Sequence, residues 1–229
     1  MKLQKETKHG KWYDDACGTA FALELIGERW ALLIVRELMF GGRRFSDLRA
    51  SLPTISAKAL TERLDGLVQA GIVARRQLPA PAPAQVYELT DWGYQAEDAV
   101  QSLGRWAARS PDHDPTLPLS AASLMMSFRT MFDPARAVGL KLSGSISIAA
   151  EAFFVEVCDA RLLAMRGPAD LPDFTVSAPV ASLIAGMVYG TMQPEALMEA
   201  GLNVNGDRGQ LERFIDLFHL PAKAGLNAH

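Results

Sequence analysis

The stretch SAKALTERLDGLVQAGIVARR, residues 56–76, decides the fold of the first half of the chain. Ser56 is a good N-cap, and the apolar residues after it recur at the spacing of an amphipathic helix. The helix ends before Gly71, which supplies the left-handed residue expected just past a helix end, and a short strand follows. At about 100° per residue, one side of the helix carries Leu60, Leu64, Leu67 and Val68, and the opposite side carries Lys58, Glu62, Asp65 and Gln69.

Helices are predicted before this stretch and a hairpin after it. Apolar periodicity indicates helices from Ala16 to Ile26 and from Glu28 to Phe40, and FSDLRASLP predicts a short helix stopped by Pro53. Beyond the quoted helix, IVARRQ and AQVYELT are typical of two strands joined by the tip LPAPAPA, residues 78–84. Its prolines predict an extended, projecting loop. Helix, short helix, turn, helix and hairpin is the order of a winged helix-turn-helix.

Such a module indicates DNA binding, because a major groove about 12 Å wide admits one helix. Residues 41–76 hold seven basic and three acidic residues, a local charge of +4. A solvated face or a protein-contact module is the alternative, since Glu62 and Asp65 would repel phosphates and the wing tip lacks Lys or Arg. The expected groove contacts are Ser56, Lys58 and Thr61, and the expected phosphate contacts are Arg43, Arg44, Arg63, Arg75 and Arg76.

Composition and charge divide the chain into two parts. The 229 residues are 49% hydrophobic and 21% charged, as in a globular protein with a full core. Residues 1–110 hold 15 Lys and Arg against 13 Asp and Glu, a net +2, whereas residues 111–229 hold 8 against 13, a net −5. The proline-rich SPDHDPTLP at 110–118 lacks apolar periodicity. We therefore expect two domains, residues 1–109 and 119–229, joined by a linker at 110–118.

Several functional classes find no support in the sequence. No apolar stretch reaches the roughly 18 residues of a membrane span, and the start lacks the apolar region of a signal peptide, so we expect a cytoplasmic protein without membrane contact. Two cysteines fit a reducing compartment. The four histidines are dispersed, and nucleophile, Walker and dinucleotide motifs are missing. We expect neither an enzyme nor a bound metal or cofactor.

Residues 17–106 resemble the HxlR family of bacterial transcription regulators, relatives of the MarR group. The similarity rests on CGTAFALELIGERWALLIVREL, GGRRFSDLRASLPTISAKALTERLDGLVQAGIVARR and VYELTDWG followed by LGRW. It implies a homodimer that binds double-stranded operator DNA, mostly through its wing and a recognition helix at residues 56–70.

A dimer is also expected on physical grounds, since one short recognition helix contacts too few base pairs to select a genomic site. We expect the interface to combine Trp12 and Tyr13 with the N-terminal helix and with a helix from Trp92 to Arg109. In a monomer, the apolar stripe of this last helix would be ordinary core. The stripe consists of Val100, Leu103 and Trp106.

Cys17 matches the position of an N-terminal cysteine that some members of the family use to sense oxidants or electrophiles. No Lys, Arg or His adjoins it in sequence to lower its thiol pKa, although a helix N-terminus would do so. Two interpretations stay open, a buried structural thiol, which the sequence neighbours favour, and a redox sensor.

The second part of the chain predicts an α+β domain with a sheet covered by helices. A helix at 119–132 precedes strands in KLSGSISIAAE, AFFVEVCD, RLLAMRG and DFTVSA, then helices at 179–189, 194–200 and 209–218, with a strand in LNVNGD. Residues 173–218 resemble the sterol carrier protein-like fold, which implies an apolar tunnel for lipids or other small hydrophobic ligands. Candidates for lining it, each of which could equally be core, are Met125, Phe128, Met131, Phe132, Met187, Met192 and Leu197.

The sequence thus predicts an α-rich winged helix-turn-helix N-terminal domain followed by an α+β, sterol carrier protein-like C-terminal domain. We expect a homodimeric transcription regulator whose operator affinity responds to an apolar ligand in the C-terminal domain. The alternative is a hydrophobic-ligand carrier whose helical module serves dimerisation or protein contact.

Overall fold

The computed structural model describes residues 13–79 and 83–225. Its first part is a winged helix-turn-helix, as the sequence predicts. Ser56 caps the fourth helix, and its hydroxyl accepts a hydrogen bond from the Ala59 amide at 3.1 Å. The elements are α1 (Gly18–Ile26), α2 (Ala31–Leu38), α3 (Phe45–Ser51), α4 (Ala57–Gln69), β1 (Val73–Gln77), β2 (Gln85–Leu89), α5 (Asp91–Tyr94) and α6 (Glu97–Ala107).

In this first part of the chain, the two largest differences from the predicted elements are at the start of α2 and in the last helix. Helix α2 begins at Ala31 instead of Glu28, because Trp30 adopts a left-handed backbone with φ 80°. The single helix expected from Trp92 to Arg109 is divided into α5 and α6. Helix α5 approaches the residues just after α4 so closely that a Cβ at Gly93 would overlap the carbonyl of Ile72. The projecting tip predicted at 78–84 lies partly outside the described residues.

The second part confirms the predicted α+β order. A five-stranded sheet has the order β5-β4-β3-β6-β7, in which β3 and β6 are parallel and the other neighbours antiparallel. Among the described residues, no helix has the length and apolarity to cross a membrane. The elements are α7 (Ala121–Met131), β3 (Leu142–Ile148), β4 (Glu151–Cys158), β5 (Arg161–Arg166), β6 (Phe174–Ala178), α8 (Ala181–Val188), α9 (Pro194–Glu199), β7 (Asn203–Gly206) and α10 (Arg208–Ile215).

One face of this sheet is buried beneath helices, as the strict alternation of buried and half-buried residues along β3 and β6 requires. An aromatic cluster joins α7 and α10 to the sheet: the Phe128 and Phe214 ring centroids lie 5.7 Å apart, and those of Phe174 and Phe214 lie 5.2 Å apart. Gly144 makes room for this cluster, since a Cβ there would overlap the Phe174 ring.

The two parts of the chain share a packed interface. Helix α7 contacts both α2 and α6. Phe40, which follows α2, meets Phe153 of β4 edge to face at a centroid distance of 6.0 Å, and the Arg129 guanidinium lies 4.4 Å from the Phe40 ring centroid. Glu37, 1% exposed, accepts a 2.6 Å hydrogen bond from the hydroxyl of Ser120, the N-cap of α7. The buried apolar residues of both parts form one continuous cluster.

The segment predicted as a linker lies outside helices and strands. Residues near the end of the described chain hold the first residues of this segment in place. The Lys223 ammonium donates to the carbonyls of Ser110 at 2.9 Å and His113 at 2.8 Å, and the Ala224 amide donates to the Arg109 carbonyl at 2.7 Å.

Candidate nucleic-acid interface

The N-terminal half of α4 presents the three residues predicted to enter a DNA groove. Ser56, Lys58 and Thr61 are all exposed. The Thr61 hydroxyl donates to the Ala57 carbonyl at 3.0 Å, which leaves its oxygen free to accept. The Lys58 side chain is 88% exposed and lies 4.0 Å from the Glu62 carboxylate, an ion pair that solvent weakens strongly. This arrangement offers a cation flanked by two hydroxyl groups.

The arginines predicted to contact phosphates differ in exposure and in the ion pairs that they already form. Arg63 pairs with Glu28 at 3.2 Å, and its side chain is only 19% exposed. Arg75 pairs with Asp65. Arg76 pairs with Glu88 at 2.9 Å but keeps 67% of its side chain exposed, and Arg44 is exposed.

One of the two carboxylates that argue against DNA binding is engaged by a cation. Asp65 is bound to Arg75, whereas Glu62 lies 4.0 Å from the exposed Lys58 in a weak ion pair. The close pair partly offsets the charge of Asp65, which reduces the repulsion that this carboxylate would exert on a phosphate. Arg49, a member of the basic cluster that was not predicted as a contact, is also exposed on α3.

The prediction that Arg43 contacts a DNA phosphate is wrong, because its side chain is buried. Its backbone exchanges two 2.8 Å hydrogen bonds with Tyr87 of β2, which turns the side chain into the protein. The guanidinium is buried, donates to Ser51 at 3.2 Å and pairs at 2.5 Å with Glu151 of β4. Arg43 thus joins the two parts of the chain instead of facing solvent. Sequence spacing gave no signal for its partner, which lies 108 residues away.

Exposed apolar side chains lie on the elements predicted to form a dimer interface. Trp106 of α6 is 73% exposed and Leu103 is 48% exposed, whereas Val100 belongs to the core. Tyr13 is also largely exposed, and α1 contains no buried residue. The predicted contribution of Trp12 lies outside the described residues.

Cys17 is the N-cap of α1, and its thiol is exposed, so the preferred interpretation as a buried thiol is wrong. The Ala20 and Thr19 amides at the start of the helix favour the thiolate and lower the pKa of this thiol. Exposure and a favoured thiolate are the two conditions for reaction with oxidants or electrophiles.

Three of the seven residues predicted to line an apolar tunnel lie in packed core. Met125, Phe128 and Leu197 are buried, and the Phe128 ring packs against the rings of Phe214 and Phe218. Met131, Phe132 and Met187 are half-buried, while Met192 lies at the surface. Phe132 lines a shallow pocket of about 450 Å³ between α6 and β5, together with Glu97, Gln101 and Arg129. A larger cleft between the two parts of the chain contains none of the seven candidates in its described lining.

The fold and the exposed face of α4 define a helix-turn-helix regulator class, and comparison with known proteins gives the family. The HxlR-like helix-turn-helix family matches residues 25–114. The HTH-type transcriptional regulator YtfH of Escherichia coli is 33% identical over 106 residues, 46% of this chain and 84% of that protein. YodB of Bacillus subtilis is 40% identical over 86 residues, 38% of this chain and 77% of that protein. This chain belongs to the HxlR-like helix-turn-helix family.

Among solved structures, the reduced form of the transcriptional regulator YodB from B. subtilis is 35% identical, covers 44% of this chain and 100% of its own, and has a TM-score of 0.40. The family match ends at residue 114. The sterol carrier protein-like character of the C-terminal part stays a prediction.

Proposed function

We propose that this protein is a transcription regulator that binds double-stranded operator DNA as a homodimer, with α4 as the recognition helix. The observation that carries the proposal is the exposed N-terminal half of α4, where Lys58 stands between Ser56 and Thr61. The relatives YtfH and YodB are HTH-type transcriptional regulators, which supports the same assignment.

Dimerisation is proposed from the apolar surface of α6. A tryptophan that is 73% exposed, with a half-exposed leucine one turn before it, is costly in water unless a partner covers it. A second copy would bury both residues and place a second recognition helix on the same DNA. Two half-sites about one helical turn apart would then give the specificity that one helix lacks.

The C-terminal part is proposed to regulate the DNA-binding part through their shared interface. Its support is the direct contact of β4 and the N-cap of α7 with α2 and the segment between α2 and α3. A ligand changes operator affinity only if it binds the DNA-competent and DNA-incompetent arrangements differently. An interface that touches the helix-turn-helix is where such a difference arises.

Selection of genomic DNA fragments by the purified full chain tests the assignment. We expect enrichment of an inverted repeat whose affinity falls by orders of magnitude between about 50 and 200 mM salt. The double variant Lys58→Ala with Arg44→Ala should abolish the enrichment, whereas Lys141→Ala, an exposed cation of the C-terminal part, should not. Failure to enrich any sequence at either salt concentration, with or without cell-extracted small molecules, would refute the proposal.

A further inference from the structure

A cleft of about 1200 Å³ opens between the helix-turn-helix and the C-terminal part. One wall comes from α2, α3 and the turn Leu52–Thr54, which leads directly into α4. The opposite wall comes from the β3–β4 turn, the end of β5 and the segment Pro179–Ala181. A molecule bound there would touch both parts of the chain within a few residues of the proposed recognition helix.

Arginine side chains gather in this cleft. Its lining contains Arg36, Arg43 and Arg166 and the carboxylates of Asp47 and Glu151, and Arg36 pairs with the buried Glu37 at 2.8 Å. Arg43 and Arg166 pair with the same carboxylate oxygen of Glu151. Burial and the charge of Arg43 together lower the pKa of Arg166 to about 10.

Some N–H donors of these guanidinium groups also lack a hydrogen-bond acceptor. Within the described part of the protein, the Nε atoms of Arg43 and Arg166 and one terminal nitrogen of Arg166 have no hydrogen-bond acceptor. Unpaired buried donors are costly, and two guanidinium groups that share one carboxylate keep a net positive charge. A carboxylate that accepts with both of its oxygens, where Glu151 uses one for both arginines, would satisfy more of these donors.

The remaining walls of the cleft are largely apolar. They include Trp30, Leu33, Leu119, Ile148 and Val180, of which Leu33 is 37% and Val180 is 51% exposed. Apolar walls with a few convergent polar groups are typical of small-molecule sites, in which the polar groups fix the orientation of the ligand.

We propose that this cleft binds a small organic anion with an apolar body, of the aryl- or alkyl-carboxylate class, whose carboxylate takes hydrogen bonds from Arg43 and Arg166 in place of Glu151. Glu151 is the group displaced in this exchange, since its side chain is 28% exposed and its carboxylate stays solvated once it leaves the arginines. The exchange replaces a bond between the two parts of the chain by bonds to the ligand. Only the consequence for operator affinity rests on the proposed function.

Isothermal titration of the full chain, without DNA, tests the ligand class. The probes are 4-phenylbutanoate, the neutral 4-phenylbutanamide of the same shape, and acetate, which has the charge without the apolar body. A carboxylate that accepts charge-assisted hydrogen bonds should bind about ten- to a hundredfold more tightly than the amide. Acetate should bind more weakly than 4-phenylbutanoate by a similar factor. Absence of 4-phenylbutanoate binding, or equal binding of the carboxylate and the amide, would overturn the proposal.

Three variants test the location. Arg166→Gln should weaken 4-phenylbutanoate binding about tenfold or more, because it removes one of the two charged donors. Glu151→Gln should tighten it several-fold, because it removes the competing charge. Ala150→Trp, at an exposed position on the cleft wall, should block binding without touching the ion pairs. Lys141→Gln, an exposed cation outside the cleft, is the matched control for Arg166→Gln.

Circular dichroism and thermal unfolding identify any variant that fails to fold. Ala150→Trp tests the same site without changing either arginine. Unchanged affinity in folded Ala150→Trp, or weakened affinity in folded Glu151→Gln, would refute the site. Titrating the protein against a selected DNA fragment, with and without 4-phenylbutanoate, separates the two proposals. Loss of ligand binding with intact DNA binding contradicts only this inference, and loss of DNA binding with intact ligand binding contradicts only the proposed function.

Discussion

Lys58 is the residue on which the proposed DNA contact depends most. Its side chain is 88% exposed at the start of α4, and its ion pair with Glu62, at 4.0 Å, is weak enough to be exchanged for a phosphate or a base edge. As a groove contact, Lys58 should matter more for specific than for unrelated DNA, so Lys58→Ala should weaken binding to the selected operator by more than it weakens binding to unrelated DNA. Fluorescence anisotropy measures both affinities, with Lys141→Ala as the control. Equal weakening for the two DNAs would contradict a groove contact and indicate a phosphate contact instead.

Cys17 is the second residue whose chemistry depends on its local position. The amides at the start of α1 stabilise the thiolate and lower the thiol pKa. The rate of alkylation by iodoacetamide should therefore reach half its maximum at a pH below the ordinary cysteine value. A Cys158→Ser background leaves Cys17 as the single thiol, and mass spectrometry follows the product. A midpoint at or above the ordinary value would contradict the helix effect.

At the scale of single elements, two glycines give opposite predictions. Gly66 lies within α4, where a Cβ meets nothing within 4 Å, so Gly66→Ala should raise the free energy of unfolding by up to about 1 kcal/mol. Gly144 lies in β3 against the Phe174 ring, so Gly144→Ala should lower it by about 1–3 kcal/mol. Urea unfolding followed by circular dichroism measures both. Equal effects of the same sign would contradict the packing described for the sheet.

The whole molecule is expected to unfold as one unit because its two parts share a core. Calorimetry of the full chain should show a single transition, and Phe40→Ala should destabilise it by about 3–5 kcal/mol, since Phe40 packs between Phe153 and Arg129. Leu171→Ala, at a position 97% exposed, should leave the transition unchanged. Two separated transitions in the unmodified chain would show that the interface contributes little to stability.

Apolar periodicity and helix capping, which are local sequence patterns, account for the features that could be predicted. The period of the apolar residues in 56–70 places Leu60, Leu64 and Leu67 in the core, where all three are buried, and Ser56 caps α4 as its residue type favours. The strands of the second part follow from alternation in the same way. These features depend on neighbours within a few residues, so the sequence shows them directly.

The sequence by itself determined the winged helix-turn-helix, the exposed face of α4 and the α+β order of the second part, because propensity, periodicity and capping act over short distances. The tertiary structure alone decided that Arg43 faces Glu151, that Phe128 fills a core instead of lining a tunnel, and that a cleft lies between the two parts. Each of these outcomes depends on contacts between residues far apart in the chain. Their geometry is set by how helices and sheet pack, and no local pattern encodes it.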